Sequence, residues 1–206
     1  MIIDAISMKN FQCYFGEHSE NFLQFGRGVN LILGNNGGGK SKLFDAFYWV
    51  IYDQVFQSDD RQFIATSVYQ DKLISDKAKL RCGEGESVSA EVVIHVTDSQ
   101  AHRYRITRIY RAKKAADRQW LPDKKSTLLI EQIKNNSAQA LPTNKYEPIL
   151  ERVLPGHLKP YMWFQGEQVD SLMDFKNRSS LMQTVNLLSE IAQYDRLIEI
   201  ATSGEK

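Results

Sequence analysis

The chain has 206 residues, a formal net charge of +1, and 42% apolar against 25% charged residues. That is enough for one filled core, excludes a globally disordered chain, and leaves no whole-chain field to draw in nucleic acid or a membrane. Two cysteines (Cys13, Cys82) and four histidines without ligand spacing (His18, His95, His102, His157) exclude a disulfide framework and a zinc cluster.

The first residues, "MIIDAISMKNF", lack the basic start and long apolar core of a secretory signal. No apolar stretch reaches the roughly 20 residues that span a bilayer. A reduced, cytosolic setting with no membrane partner is expected. In chain order, "IIDAISMKNF" alternates as a strand, and "NFLQFG" is its expected partner. "VNLILG" is a short apolar run closed by glycine and predicts a buried strand. From Ser41 the period changes: Leu43, Phe44, Phe47, Val50 and Ile51 recur at helical spacing, predicting a helix to about Tyr52. Residues 57–87 are polar and mixed, and read as a loop-rich insertion with one short helix. "SAEVVIHVT", "HRYRITRIY" and "STLLIEQI" predict three strands, the first two joined by a hairpin at "DSQAH". "YEPILERVL" predicts a short helix and "YMWFQGE" a further apolar strand. Beyond Arg178, Leu181, Val185, Leu188, Ile191 or Ala192, and Ile198 mark one helical stripe.

Gly34-Asn35-Asn36-Gly37-Gly38-Gly39-Lys40-Ser41 fits G-x-x-x-x-G-K-[ST], the P-loop. A loop wrapped around a polyphosphate turns backbone N–H groups inward, where side chains would obstruct the ligand. Glycine removes the obstruction and permits positive φ. The following helix sets its N-terminal N–H groups and positive dipole end against the same phosphates. Lys40 supplies a mobile charge toward the β- and γ-phosphates, and the Ser41 hydroxyl is a Mg²⁺ ligand candidate. A predicted strand before the loop and a helix after it give the motif its required context. ATP with Mg²⁺ is the expected ligand, held by Asn35, Asn36, Gly37, Gly38, Gly39, Lys40, Ser41 and Lys42.

The "NGGGKS" form of this loop and the opening "IIDAISMKNFQCYFGEHSENFLQFGRGVNLILGNNGGGKSKLFDAF" resemble the ABC-type ATPase heads of the SMC, SbcC, RecF and DndD group. Lys42 departs from the small or polar residue common there. Downstream, "YMWFQGEQVDSLMDF" (161–175) resembles the Q-loop of the same group, an apolar strand followed by Gln-Gly-Glu. The resemblance assigns Gln165 to the Mg²⁺ and the attacking water. A neutral amide suits that task, ligating through oxygen and orienting water without adding charge. The implied fold is α/β, the N-terminal lobe of an ABC-type P-loop ATPase: a mixed sheet around the P-loop helix plus an antiparallel β subdomain. The expected boundaries are 1–178 for the lobe and 179–206 for a helix leading toward a coiled coil.

Such a head also needs a Walker B strand ending in Asp-Glu and an "LSGG"-like signature loop, and the sequence contains neither. "VVIHVTD" (92–98) is an apolar strand ending in Asp98 without a following glutamate, and reads as the first residue of a hairpin turn. The expectation is the N-terminal half of a split head, cut before the coil, with Lys40 and Gln165 as catalytic residues. Alone it would bind ATP weakly and hydrolyse it slowly or not at all. The implied partners are a C-terminal lobe of the same head, a second head in a nucleotide-dependent homodimer, double-stranded DNA, and a nuclease or DNA-modification enzyme. The implied settings are DNA repair, or bacterial DNA modification and phage defence. The rival readings are the nucleotide-binding subunit of an ABC transporter and a self-sufficient P-loop kinase using Asp98 as its Mg²⁺ ligand. Between His102 and Lys125 nine basic residues face two acids, with Tyr104, Tyr110 and Trp120 interleaved. Within that run Arg105, Arg111, Lys113 and Lys114 are the candidate phosphate contacts for DNA.

Overall fold

Alternating apolar and polar residues carry the chain into its first strand, β1 (Ile2–Lys9), of which Ala5, Ile6, Ser7 and Met8 are buried. The computed structural model describes residues 1–57, 62–115, 119–135 and 137–154. The chain divides into two compact units, Met1–Val153 and Leu154–Lys206, and every described element lies in the first. The sequence-based boundary at 178, the Q-loop stretch and the final helix fall outside the described residues.

β1 pairs antiparallel with β2 (Phe22–Gln24) on one side, as expected from the sequence. On its other side it pairs with β5 (Ser87–Thr97), from Ile2 opposite Thr97 to Lys9 opposite Glu91. β6 (Arg103–Lys114) continues the sheet in full antiparallel register with β5, joined to it by the predicted hairpin turn. Next come β8 (Thr127–Lys134) and β9 (Ser137–Ala140), while the short β7 (Trp120–Pro122) pairs with the far end of β6. The sheet order is β2-β1-β5-β6-β8-β9, and every described pairing in it is antiparallel.

Period-two alternation gives this sheet one dry face. Ala90, Val92, Ile94 and Val96 of β5, and Tyr104, Ile106, Tyr110 and Ala112 of β6, are buried there. Against the sheet packs α1 (Lys40–Tyr52), whose buried set runs Leu43, Asp45, Ala46 and then without a break from Phe47 to Ile51. Trp49 is fully buried, stacks on Phe11 at 5.2 Å, and donates from its indole to Thr66 Oγ1 at 2.8 Å. The described residues between 57 and 87 hold more regular structure than the polar composition suggests. β3 (Gln54–Gln57) and β4 (Gln62–Ala65) form a separate antiparallel hairpin, followed by α2 (Thr66–Tyr69) and α3 (Asp76–Arg81). The aromatic residues explain this: Phe63 stacks on Tyr48 of α1 at 3.8 Å and sits 5.1 Å from Phe56. α4 (Tyr146–Val153) is the helix predicted from "YEPILERVL".

The opposite face carries a polar relay. Ser7 Oγ lies 3.0 Å from His18 Nδ1, and His18 Nε2 lies 3.5 Å from Glu91 Oε2, while Ser89 donates to the other Glu91 oxygen at 2.8 Å. The His18 hydrogen bond, helped by Ser89 and opposed by partial burial, holds the Glu91 carboxyl at about 2 against an ordinary 4.5. The folded chain therefore binds this proton more weakly than the unfolded chain. The resulting stability is complete above pH 4.5 and is lost as the pH falls to about 2. Glu91→Gln is expected to cost about 0.5–1 kcal/mol at neutral pH, the range of partly exposed pairs. In urea titrations its stability should converge with wild type near pH 2; a gap independent of pH would contradict the relay.

Candidate nucleotide site

The P-loop glycines are placed where side chains could not go. Gly37 and Gly39 have φ of 80° and 88°, in the left-handed region that favours glycine. A Cβ on Gly38 would lie 2.9 Å from the Asn35 carbonyl oxygen, and one on Gly39 would lie 2.9 Å from Cys13 Sγ. Gly38 N–H closes the turn onto Asn35 O at 3.0 Å, and Tyr14 Oη ties the loop down by donating to Gly39 O at 3.0 Å. Lys40 Nζ reaches back across the loop, donating to Gly34 O at 2.6 Å and Asn35 O at 2.9 Å. Ser41 is exposed in the first turn of α1.

The N-terminus of α1 is built for an anion. Helix starts favour an acidic first turn and a side-chain cap, because their N–H groups lack intrahelical acceptors. Here the first turn holds Lys40 and Lys42, no acid, and no side-chain cap. Positive charge on the positive end of a helix is unfavourable by itself and becomes favourable once an anion sits there. The donor set, the crowded glycines and the exposed hydroxyl thus fit a Mg²⁺-bound polyphosphate.

Lys42, the departure from the family pattern, has a different partner. Its ammonium meets Asp45 Oδ2 at 3.1 Å, and Asp45 is buried one turn below. The other Asp45 oxygen accepts the Phe56 N–H at 3.2 Å, joining α1 to β3. Burial pushes the Asp45 carboxyl up, with Lys42 and the Phe56 N–H pulling against it.

The apolar run before the loop departs from its prediction. Residues 29–33 are not a strand, and Val29, Leu31 and Leu33 are 98%, 79% and 82% exposed. An apolar run of this kind forms a strand only between neighbours that bury both faces. It is paired with none of the described strands. On the β2 side, Met8, Phe22, Leu23, Ile32, Leu33 and Leu43 line a cavity of about 210 Å³ next to Gly34 and Lys40.

Asp98 has no part in this site. It is buried in the β5–β6 turn, where its carboxylate accepts the Gln100 and His102 N–H groups at 2.9 and 2.8 Å and pairs with Arg152 at 3.3 Å. Thr97 faces Ile2, whereas the P-loop lies against Cys13 and Tyr14, beyond the other end of the 8-residue β1. The separation is roughly 25 Å at the rise of a strand. Asp98 is a turn residue, as the sequence suggested, and the kinase reading loses its metal ligand. Gln165 lies outside the described residues.

The basic run divides by strand parity. Arg105 makes a bidentate pair with Glu131 at 2.6 and 2.8 Å, so its charge is balanced within the sheet. Lys114 donates to Cys82 O at 2.7 Å and sits 5.8 Å over Trp120. Arg111 and Lys113, two residues apart on the outer face of β6, are exposed. Arg108, of opposite parity, is buried against α1. Asp45, Arg108 and Tyr14 were not singled out from the sequence. Parity alone could have marked Arg108, since it alternates with Tyr104, Ile106 and Tyr110.

A family model described as an AAA domain matches residues 5–204. Over 52 residues, a quarter of this chain and 5% of the relative, the sequence is 38% identical to the DNA double-strand break repair Rad50 ATPase of Thermoplasma volcanium. Over 53 residues, 24% of this chain and 6% of the relative, it is 42% identical to the protein of the same description from Pyrococcus abyssi. The chain thus aligns with only a small part of the length of these relatives. Matched along nearly its whole length and carrying a P-loop in an anion-ready conformation, the chain belongs to the AAA-domain family, as an SMC/Rad50-like ABC-type ATPase N-terminal region.

Proposed function

We propose that this chain is the ATP-binding half of an SMC/Rad50-like head that acts on DNA and hydrolyses ATP once a C-terminal lobe completes it and two heads dimerise. One observation carries the proposal: the apolar residues that lead into the P-loop are exposed and pair with no described strand. An apolar run of this kind forms a strand when neighbours bury it; a C-terminal lobe would supply such a neighbour, and no Walker B sequence occurs in this chain. Gly37, Gly38, Gly39, Lys40 and the first N–H groups of α1 would hold the phosphates, and Ser41 and Gln165 the Mg²⁺. When bound, the metal neutralises charge on the β- and γ-phosphates and supports attack by water. The chain's own residues bind and orient. Lys40 is already drawn over the loop, the glycines leave room for close approach, and the first turn holds no acid to oppose a phosphate. A DNA-repair role is supported by the relatives' descriptions; a DndD-type modification or defence role fits the same lobe.

Of the four candidate DNA contacts, Arg111 and Lys113 are the exposed ones. Charge reversal at both positions in the full-length protein is expected to weaken duplex binding. It should also flatten the plot of log K against log salt by about 0.9 for each DNA phosphate that the protein no longer neutralises. Neutralising Arg105, already paired with Glu131, should leave that slope unchanged. An unaltered slope in the double variant would remove β6 from the DNA surface.

A further inference from the structure

α1 is unusual at its C-terminal end as well. A helix C-terminus gathers partial negative charge and leaves its last carbonyls without intrahelical partners. The last turn of α1 carries no basic side chain to answer this. The cation comes from another element. Arg108, on the inner face of β6 and 6% exposed, donates from Nε to Val50 O at 3.1 Å and from Nη2 to Ile51 O at 3.3 Å. Its Nη1 donates to Ser126 Oγ at 2.8 Å and lies 3.5 Å from Asp53 Oδ1.

Asp53 is itself the αL cap of α1, with φ of 58°, and its N–H closes the helix onto Trp49 O. Its carboxylate accepts from Ser126 Oγ at 2.8 Å and from Thr66 Oγ1, the hydroxyl that also receives the Trp49 indole N–H. β6, the approach to β8 and α2 therefore meet on the tail of one helix. A buried guanidinium is costly unless its donors are met, and here the donors are spent on that tail.

Near its head the helix is tied by buried Leu43 and by Asp45, which accepts the Phe56 N–H, while Lys40 and Ser41 of the first turn are exposed. The loop before it is exposed, residues 29–33 are outside the sheet, and Tyr14 Oη to Gly39 O is the described side-chain tie to the turn that follows β1. A 13-residue helix is a rod of about 20 Å, so bonds at its far end help set where its first turn points.

We infer that Arg108 is a positioning residue for nucleotide binding: it fixes the tail of α1 to β6 and thereby places the first-turn N–H groups, Lys40 and Ser41 under the phosphates. The inference rests on Gly34–Ser41 being a nucleotide site and extends that site to a residue on a different element. It also makes β6 a mechanical neighbour of the nucleotide, since ligand at the head pulls on bonds at the tail.

The test uses the full-length protein as wild type, Arg108→Met, Arg108→Lys, and Ile94→Val as a core control of similar depth. A fluorescent Mg²⁺–ATP analogue gives Kd, and hydrogen exchange over residues 105–112 is followed with and without nucleotide. In wild type, nucleotide slows exchange in β6 as well as in the P-loop. Arg108→Met binds roughly tenfold more weakly, the scale of a cation removed from a helix end. At saturating nucleotide its P-loop is protected while β6 no longer responds. Arg108→Lys, which keeps the charge without the fork, falls between, and Ile94→Val behaves as wild type. If Arg108→Met binds nucleotide as wild type does and β6 still responds, the inference is overturned. It is equally overturned by wild-type β6 that ignores bound nucleotide, a result obtained even if Arg108→Met does not fold. If wild type binds no nucleotide at all, the reading of the site fails first.

Discussion

Lys40→Ala is expected to weaken Mg²⁺–ATP binding by about 100-fold or more, the removal of a charge-assisted hydrogen bond worth roughly 1.5–3 kcal/mol plus a loosened loop. The second part of that effect is specific to this structure. The Lys40 ammonium bridges Gly34 O and Asn35 O, so its removal takes away the bonds that brace the start of the cradle as well as the charge. Lys40→Arg should rescue little, because a planar fork does not substitute for a compact ammonium in so close a fit. Calorimetric titration with ATP and Mg²⁺ measures both. Full affinity in Lys40→Ala would mean that the loop is a glycine-rich turn and nothing more.

The second large effect concerns residues 29–33. Replacing Leu31 and Leu33 by aspartate is expected to leave the stability of this lobe within about 0.5 kcal/mol, because exposed positions away from special features tolerate substitution. The same pair is expected to abolish functional pairing with a C-terminal lobe. Burying Val29, Leu31 and Leu33 contributes roughly 1.5–3 kcal/mol each, enough to dominate a lobe–lobe interface, and a buried carboxylate reverses the sign. Thermal unfolding of the chain and co-purification with the C-terminal lobe test the two halves. A large drop in stability of the chain alone would place the run inside its own core and contradict its exposure.

Much of the fold was legible because its determinants are local. Strict alternation in "SAEVVIHVT" and "HRYRITRIY" specified β5 and β6, and helical spacing from Leu43 to Ile51 specified α1 to within a residue of its end. The β3–β4 hairpin was missed because its order comes from Phe63 stacking on a helix residue distant in sequence. "VNLILG" was misread for the converse reason: its residues favour a strand, but a strand also needs neighbours, and propensity does not supply them. At the site, glycine spacing with Lys40 and Ser41 was readable because phosphate binding depends on consecutive backbone groups. Asp45 holding Lys42, Glu131 balancing Arg105, and Arg108 reaching the tail of α1 are pairings between elements, and the sequence displays the charges without their partners.

The most direct measurement of the central proposal is ATP turnover by this chain alone and with a C-terminal lobe added, across protein concentration. The half-site account predicts negligible turnover by the chain alone. It predicts turnover on completion that rises more than linearly with concentration as heads dimerise, and none with Lys40→Ala. Robust turnover by the isolated chain, unchanged by the C-terminal lobe, would contradict it.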